Sequence, residues 1–272
     1  MSPRSLAPCL LSFVLFLTSG CTMDISLPVP AQKAQSVTSN PPRFQFQQIN
    51  SAPRNTLLNI AEKDLRPGDL LLSSNIGLTS VGIRVFSTSA VSHVALYIGQ
   101  SEVAEAVGSG IQIVTLKEAM DHSDKIFALR MADLTDKEAE KIRIFAQEKA
   151  GSRYNYAGII EMAPFMLTKQ LCSLNPFSKE FRQQCIKGMA AAQLSTPTGN
   201  ESRYFCSEFV LEAYRQSGHP LTTVASNWVS PGDLLHMREG DIATLSANKP
   251  LLYVGHLKQG IYFKARERIK LN

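Results

Sequence analysis

The sequence predicts an α+β fold in which an antiparallel sheet packs against helices. Two observations carry this. Short alternating apolar runs separated by tight turns crowd the first half of the chain, most clearly Ser92-His93-Val94-Ala95-Leu96-Tyr97-Ile98-Gly99 and then Val103-Ala104-Glu105-Ala106-Val107. Segments of helical periodicity with capping signals follow, chiefly Thr135 to Lys149 and Phe205 to Ser217. The 272 residues suffice for one sizeable domain with attachments.

Composition narrows the function classes. Hydrophobic residues make up 44% and charged residues 19%, ordinary for a globular protein. The net charge of +5 comes from scattered basic residues, so no nucleic-acid partner is expected. A mild basic cluster near the end (Lys264, Arg266, Arg268, Lys270) reads as a solvated face. It would rest on anionic headgroups only if the domain sat at a membrane.

Residues 1–20 form a secretory signal, with Arg4 in a short positive region, an apolar run from Leu10 to Leu17, and small residues Thr18-Ser19-Gly20 before Cys21. The run is too short to span a bilayer as a stable anchor. Its end resembles a bacterial lipobox, although Thr18 stands where Leu is commoner. That resemblance implies cleavage before Cys21 and acylation of its thiol, a membrane partner through palmitate-like chains worth about 0.8 kcal/mol per buried methylene. Thr22 rather than Asp after the cysteine favours the outer membrane, facing the periplasm. Residues 21–56, rich in Pro, Ser, Gln and Asn, read as a flexible tether reaching about 30–35 Å.

The domain is expected over 57–272. Arg66-Pro67-Gly68-Asp69 is a turn leading into a strand at Leu70-Leu71-Leu72, and a helix is expected between Thr79 and Ser89. A turn at Gln100-Ser101 joins the His93 strand to the Glu105 strand, and Gly108 and Gly110 precede a third at Ile111 to Val114. Thr115 and Thr135 each begin a capping box, with a strand at Lys125 to Arg130 between them. Ala157 to Leu171 is an apolar helical stretch expected to break at Pro164. Residues 172–202 read as an insertion. Ser230-Pro231-Gly232-Asp233 opens a late helix, and Leu251 to Lys264 holds two strand-like runs around Gly260.

The cysteines then take distinct roles. Cys9 leaves with the signal and Cys21 is acylated, so Cys172, Cys185 and Cys206 remain in an oxidising compartment. Cys172 and Cys185, thirteen residues apart, are the natural disulfide, and Cys206 is left over. It stands at the start of its helix, where unsatisfied N–H groups and the dipole favour a thiolate.

An imidazole on an otherwise apolar strand needs a polar partner. A lone His93 would be structural, but the hairpin brings Glu105 within reach. A carboxylate among small apolar residues is itself costly unless paired. Bonded to the ring, it would set the tautomer and stabilise the imidazolium. Among the other histidines, His122 and His219 read as structural or exposed. His236 lacks a motif, and His256 is the nearest rival to His93. No histidine pair has zinc-ligand spacing, so neither metal nor other cofactor is expected.

Pro67-Gly68-Asp69-Leu70-Leu71, Ser92 to Gly99 and Val103 to Ala106 together resemble the NlpC-type branch of papain-like cysteine hydrolases. In most of that superfamily the cysteine helix precedes the histidine strand. Here Phe205-Cys206-Ser207-Glu208-Phe209 follows it, as in the circularly permuted group that includes the YiiX/YebB-like proteins and the lecithin retinol acyltransferase family. The lipobox, Arg84 to Ser89 and the Cys172 insertion look closest to the YaeF-type lipoproteins of enteric bacteria. The resemblance implies a permuted papain-like fold with Cys206 as nucleophile, His93 as general base then acid, and Glu105 orienting the ring. Glu105 departs from branches that carry a His or an amide there. Tyr204 is a candidate neighbour of the site. The implied chemistry is attack on an amide or ester carbonyl through a thioester, with cell-wall peptide or acyl lipid as substrate and acyl transfer as a variant. The competing class is a catalytically silent lipoprotein that binds such fragments in the same groove.

Overall fold

A computed structural model describes residues 23–26, 43–48, 50–53, 57–74, 90–173, 178–194 and 203–260. The signal segment, Cys21, most of the tether, the helix expected before Ser89, the loop at 195–200 and the basic cluster after Gly260 lie outside the described residues.

Two short antiparallel strands, β1 (Met23–Ser26) and β2 (Arg43–Phe46), precede the main body. The body begins at a turn where Gly68 takes φ +93°, and β3 (Leu70–Ser74) leaves it. The hairpin of β4 (His93–Gly99) and β5 (Glu102–Val107) turns through Gln100 and Ser101, whose φ values of +54° and +62° are those a two-residue type I′ turn requires. β6 (Gly110–Thr115) pairs beside β5, and Thr115 caps α1 (Leu116–Asp121) by accepting from the Glu118 N–H. β7 (Lys125–Met131) follows, and the Thr135–Glu138 capping box opens α2 (Asp136–Lys149), which buries Ala139, Ile142, Phe145 and Ala146.

The chain continues through β8 (Arg153–Tyr154), α3 (Tyr156–Ser173), α4 (Lys179–Gln193), β9 (Arg203–Tyr204), α5 (Cys206–Ser217), α6 (Pro231–His236) and β10 (Leu251–Lys258). Six strands form one antiparallel sheet in the order β10-β7-β3-β4-β5-β6, and β8 and β9 make a separate parallel ladder. The period of two sorts the side chains. Leu70, Leu72, Val94, Leu96, Phe127 and Leu129 pack with Ile142 and Phe145 of α2 and with Phe209 and Val210 of α5. Leu71, Ala95, Tyr97, Val103 and Ala128 face the other way, against Leu116 and Ala119 of α1. His93 and Glu105 belong to this second face.

Three sequence expectations change. The stretch around Pro164 is one unbroken 18-residue helix, α3. Pro164 lies on its exposed side, so the carbonyl that its ring cannot satisfy is turned away from the core. The insertion, assigned no element from the sequence, holds a helix, α4, that packs beside α3, and Cys172 is bonded to Cys185 as expected, across Cα atoms 5.6 Å apart. Part of the tether is bound to the body. Gln47 Nε2 donates to Ile242 O and Thr244 Oγ1, both at 2.8 Å, and the buried Arg238 guanidinium donates to Ser51 O at 2.7 Å and Gln48 O at 3.0 Å. Composition predicted disorder there because these polar partners lie nearly two hundred residues away in sequence.

Candidate active site

His93 opens β4, and Glu105 stands on the neighbouring β5. The ring Nε2 and Glu105 Oε2 are 2.8 Å apart. Gln112 on β6 lies directly opposite Glu105 in the ladder, and its Nε2 donates to Glu105 Oε1 at 2.9 Å. Both carboxylate oxygens are therefore bonded, which makes a side chain only 9% exposed tolerable as an anion. Burial alone would raise its pKa, but the bonds to His93 and Gln112 hold it below the ordinary value.

Cys206 is the first residue of α5, preceded by the extended N-cap Phe205, whose N–H reaches Glu208 Oε2 at 3.3 Å. Its thiol is free and buried. Burial by itself would lower the pKa of His93. Hydrogen bonds and charge from Cys206 and then Glu105 outweigh it and raise the ring to about 10. Since Glu105 occupies Nε2, Nδ1 is the nitrogen left for the sulfur. At neutral pH the imidazole bonded to Glu105 is thus protonated, with 24% of its side chain still exposed.

All three residues line one cavity of about 370 Å³. Leu71, Ala95, Ala106, Ala119 and Ile126 make its wall apolar, while Ser73, Ser92, Gln112, His122 and Tyr154 supply polar groups. Gln112 is an addition that sequence reasoning passed over, while His122, read as structural or exposed, and Tyr154, whose residue type reads as core or rim, both line the cavity. The signal for Gln112 was a lone amide between Ile111 and Ile113, across a countable turn from Glu105. Tyr204, the expected neighbour, packs in the core against Phe145 and Phe209 instead. Tyr154, its partner in the β8–β9 ladder, lines the cavity with Cys206. Burial, then the charge of Cys206, push its hydroxyl pKa up, so it stays a donor.

The remaining histidines sit elsewhere. His256 is buried on β10, bonded to Ser51 Oγ at 2.9 Å and to the Tyr253 hydroxyl. Burial, with Lys125 and Arg238 adding to it, lowers its pKa to about 4 and keeps it neutral. It is a clasp for the segment at Ser51. His236 pairs with Asp241 and His219 with Glu138.

A histidine strand that precedes the cysteine helix, on an antiparallel sheet packed against helices, defines a permuted papain-like protein. Residues 64–174 match the family described as permuted papain-like amidase enzymes, YaeF/YiiX, C92 family. That span holds His93 and Glu105 and ends before Cys206. The probable lipoprotein peptidase YaeF of Escherichia coli strain K12 is 53% identical over 250 residues, covering 92% of this chain and 91% of that protein. The chain belongs to the permuted papain-like amidase family. The crystal structure of metalloprotein yiiX from Escherichia coli O157:H7 aligns with 58% of this chain and 70% of its own, at 17% identity and a TM-score of 0.40.

Proposed function

We propose that this protein is a lipid-anchored cell-envelope cysteine amidase, with Cys206, His93 and Glu105 as its catalytic triad. The observation that carries this is the grouping in one cavity of His93, bonded to Glu105 at 2.8 Å, and the free Cys206. The name of the Escherichia coli relative, a lipoprotein peptidase, supports both the anchor at Cys21 and a peptide-like amide as substrate.

Sγ attacks the carbonyl carbon while His93 carries the proton of the Cys–His pair. The developing oxyanion faces the unsatisfied N–H groups of the first turn of α5, Cys206 and Ser207, with the Tyr154 hydroxyl as a side-chain donor. His93 then hands its proton to the leaving nitrogen as the C–N bond breaks, leaving a thioester on Cys206. Water attacks the thioester, His93 takes the water's proton, and the C–S bond breaks to release the acid. Glu105, fixed by Gln112, balances the imidazolium charge throughout. The apolar wall of Leu71, Ala95, Ala119 and Ile126 favours, as a second reading, an acyl group delivered from an ester, with transfer replacing hydrolysis.

Mass spectrometry of Cys206 after exposure to envelope extract tests the reading. A trapped acyl adduct, absent in Cys206→Ala, is expected, and its mass separates peptide from fatty acyl. Iodoacetamide should alkylate Cys206 far faster in wild type than in His93→Ala at neutral pH. Equal rates with no adduct would leave the protein a silent binding lipoprotein.

A further inference from the structure

α3 turns an apolar face outward that nothing among the described residues covers. Tyr156, Ile160, Leu167 and Leu171 are 59%, 72%, 51% and 67% exposed, and Pro164 among them is exposed as well. Steps of three and four residues put all five on one side of the helix. The other side is occupied by Met162, Phe165, Met166 and Cys172, which are buried. Scattered exposed apolar residues need no account, but a continuous ridge of large ones marks a docking surface.

Two features identify what docks. Asp24, three residues after Cys21, is ion-paired with Arg182 of α4. Arg182 lies one turn before Cys185, whose disulfide joins α4 to the end of α3. The chain leading from Cys21 therefore enters the fold at the α3–α4 hairpin, where Phe181 is also 53% exposed. At the opposite end of the ridge, the exposed Arg153 and Arg203 stand side by side in the β8–β9 ladder. A pair of exposed arginines at the end of an apolar helical face suits a surface of anionic headgroups.

We propose that the exposed face of α3 lies on the bilayer, in the plane of the membrane, beside the lipid anchor at Cys21. This rests on the lipid-anchored reading above. α3 does not cross the membrane, since no described helix is long and apolar enough to do so. Its first turn adjoins the catalytic cavity. The Tyr156 hydroxyl donates to Gly108 O at 3.0 Å, and the Tyr156 and Tyr154 rings are 5.0 Å apart. Gly108 and Tyr154 both line that cavity. Docking thus sets the mouth of the cavity at the lipid surface.

The test uses the full chain on vesicles of phosphatidylethanolamine and phosphatidylglycerol, with brominated acyl chains as quencher. Ile160→Trp and Leu167→Trp report on the ridge, Ile144→Trp on an exposed site of α2, and the native Trp228 supplies the baseline. Both ridge indoles should shift to the blue and lose about half or more of their emission, as expected about 5–10 Å into the headgroup–acyl boundary. Ile144→Trp should not change. Ridge indoles quenched no more than Ile144→Trp would overturn the proposal. So would a blue shift that grows with protein concentration without vesicles, which assigns the face to a second copy. Intact mass reports the anchor separately. An acylated Cys21 with unquenched ridge indoles sinks the docking alone, whereas quenching of an unacylated chain sinks the anchor and keeps the docking.

Discussion

Glu105 and Gln112 face each other across the β5–β6 ladder, and the amide of Gln112 holds the carboxylate oxygen that His93 leaves unused. The carboxylate is thereby fixed from both sides, and the orientation of the imidazole rests on a residue that never reaches the sulfur. Gln112→Leu should strip one bond from a buried anion and cost about 1–3 kcal/mol of stability, read by urea unfolding. It should also slow alkylation of Cys206, though less than Glu105→Ala does. A variant as stable and as reactive as wild type would remove Gln112 from the site.

Tyr154 separates two kinds of reactivity. Alkylation of the sulfur builds no oxyanion, whereas acyl transfer does. Tyr154→Phe should therefore leave the iodoacetamide rate unchanged while lowering kcat on the trapped substrate class by about 10²–10³-fold. Parallel loss of both would mean that the ring supports the cysteine rather than the oxyanion.

The pH dependence of stability follows from the two shifts. Folding raises His93 from 6.5 to about 10, so its contribution is complete below pH 6.5 and lost as pH rises through about 10. Folding lowers Glu105 from 4.5, so its contribution is complete above pH 4.5 and lost as pH falls through the lowered value. The stability gap between wild type and His93→Gln should be widest between pH 4.5 and 6.5 and close toward pH 10. Urea titrations across that range check it, and a gap that widens above pH 6.5 would refute the protonated ring.

Away from the site, Lys169 of α3 and Asp233 of α6 form a buried ion pair at 2.7 Å, and Asp233 also accepts from the Ser230 N–H and hydroxyl. Asp233→Ala leaves an ammonium without its counterion beneath the ridge and should cost about 3–5 kcal/mol. Pairing it with Lys169→Met should recover most of the loss but not the cap of α6, worth about 1 kcal/mol. Thermal unfolding of the single and double variants distinguishes the two contributions.

The Cys172–Cys185 bond closes a short loop at the base of the α3–α4 hairpin. Replacing both residues by Ala should cost about 2–3 kcal/mol by the loop-entropy argument. The loss should appear first as faster amide exchange in α4, while Cys206 alkylation is retained. Exchange that rises equally across the central sheet would show the hairpin to be part of the main cooperative unit.

The three residues proposed as a triad carry local marks in the sequence. His93 begins a strand, Cys206 follows an N-cap, and a two-residue turn sets Glu105 beside His93. What escaped depends on tertiary direction. Tyr154 and Tyr204 are register partners, so periodicity alone cannot choose which ring lines the cavity with Cys206 and which meets Phe145. Pro164 breaks a helix or rides on its outer side according to what packs opposite. Gln47, Gln48 and Ser51 look like tether until the buried Arg238 and the chain around Ile242 are brought to them.

The order of the chain has a consequence for the journey to the envelope. Cys206 can meet the His93 imidazole only when the sheet has formed and α5 has docked, across the intervening residues 94–205, which include the α3–α4 hairpin. Before that, Cys172, Cys185 and Cys206 are ordinary thiols, and the first two are close in sequence while the third has no near partner. Thiol–disulfide exchange follows the thiolate fraction of the attacking sulfur. In the folded chain Cys206 is buried and free while Cys172 and Cys185 are bonded to each other. On the proposed reading, a chain with the histidine strand ahead of the cysteine helix completes its reactive pair only when the later element, α5, is in place.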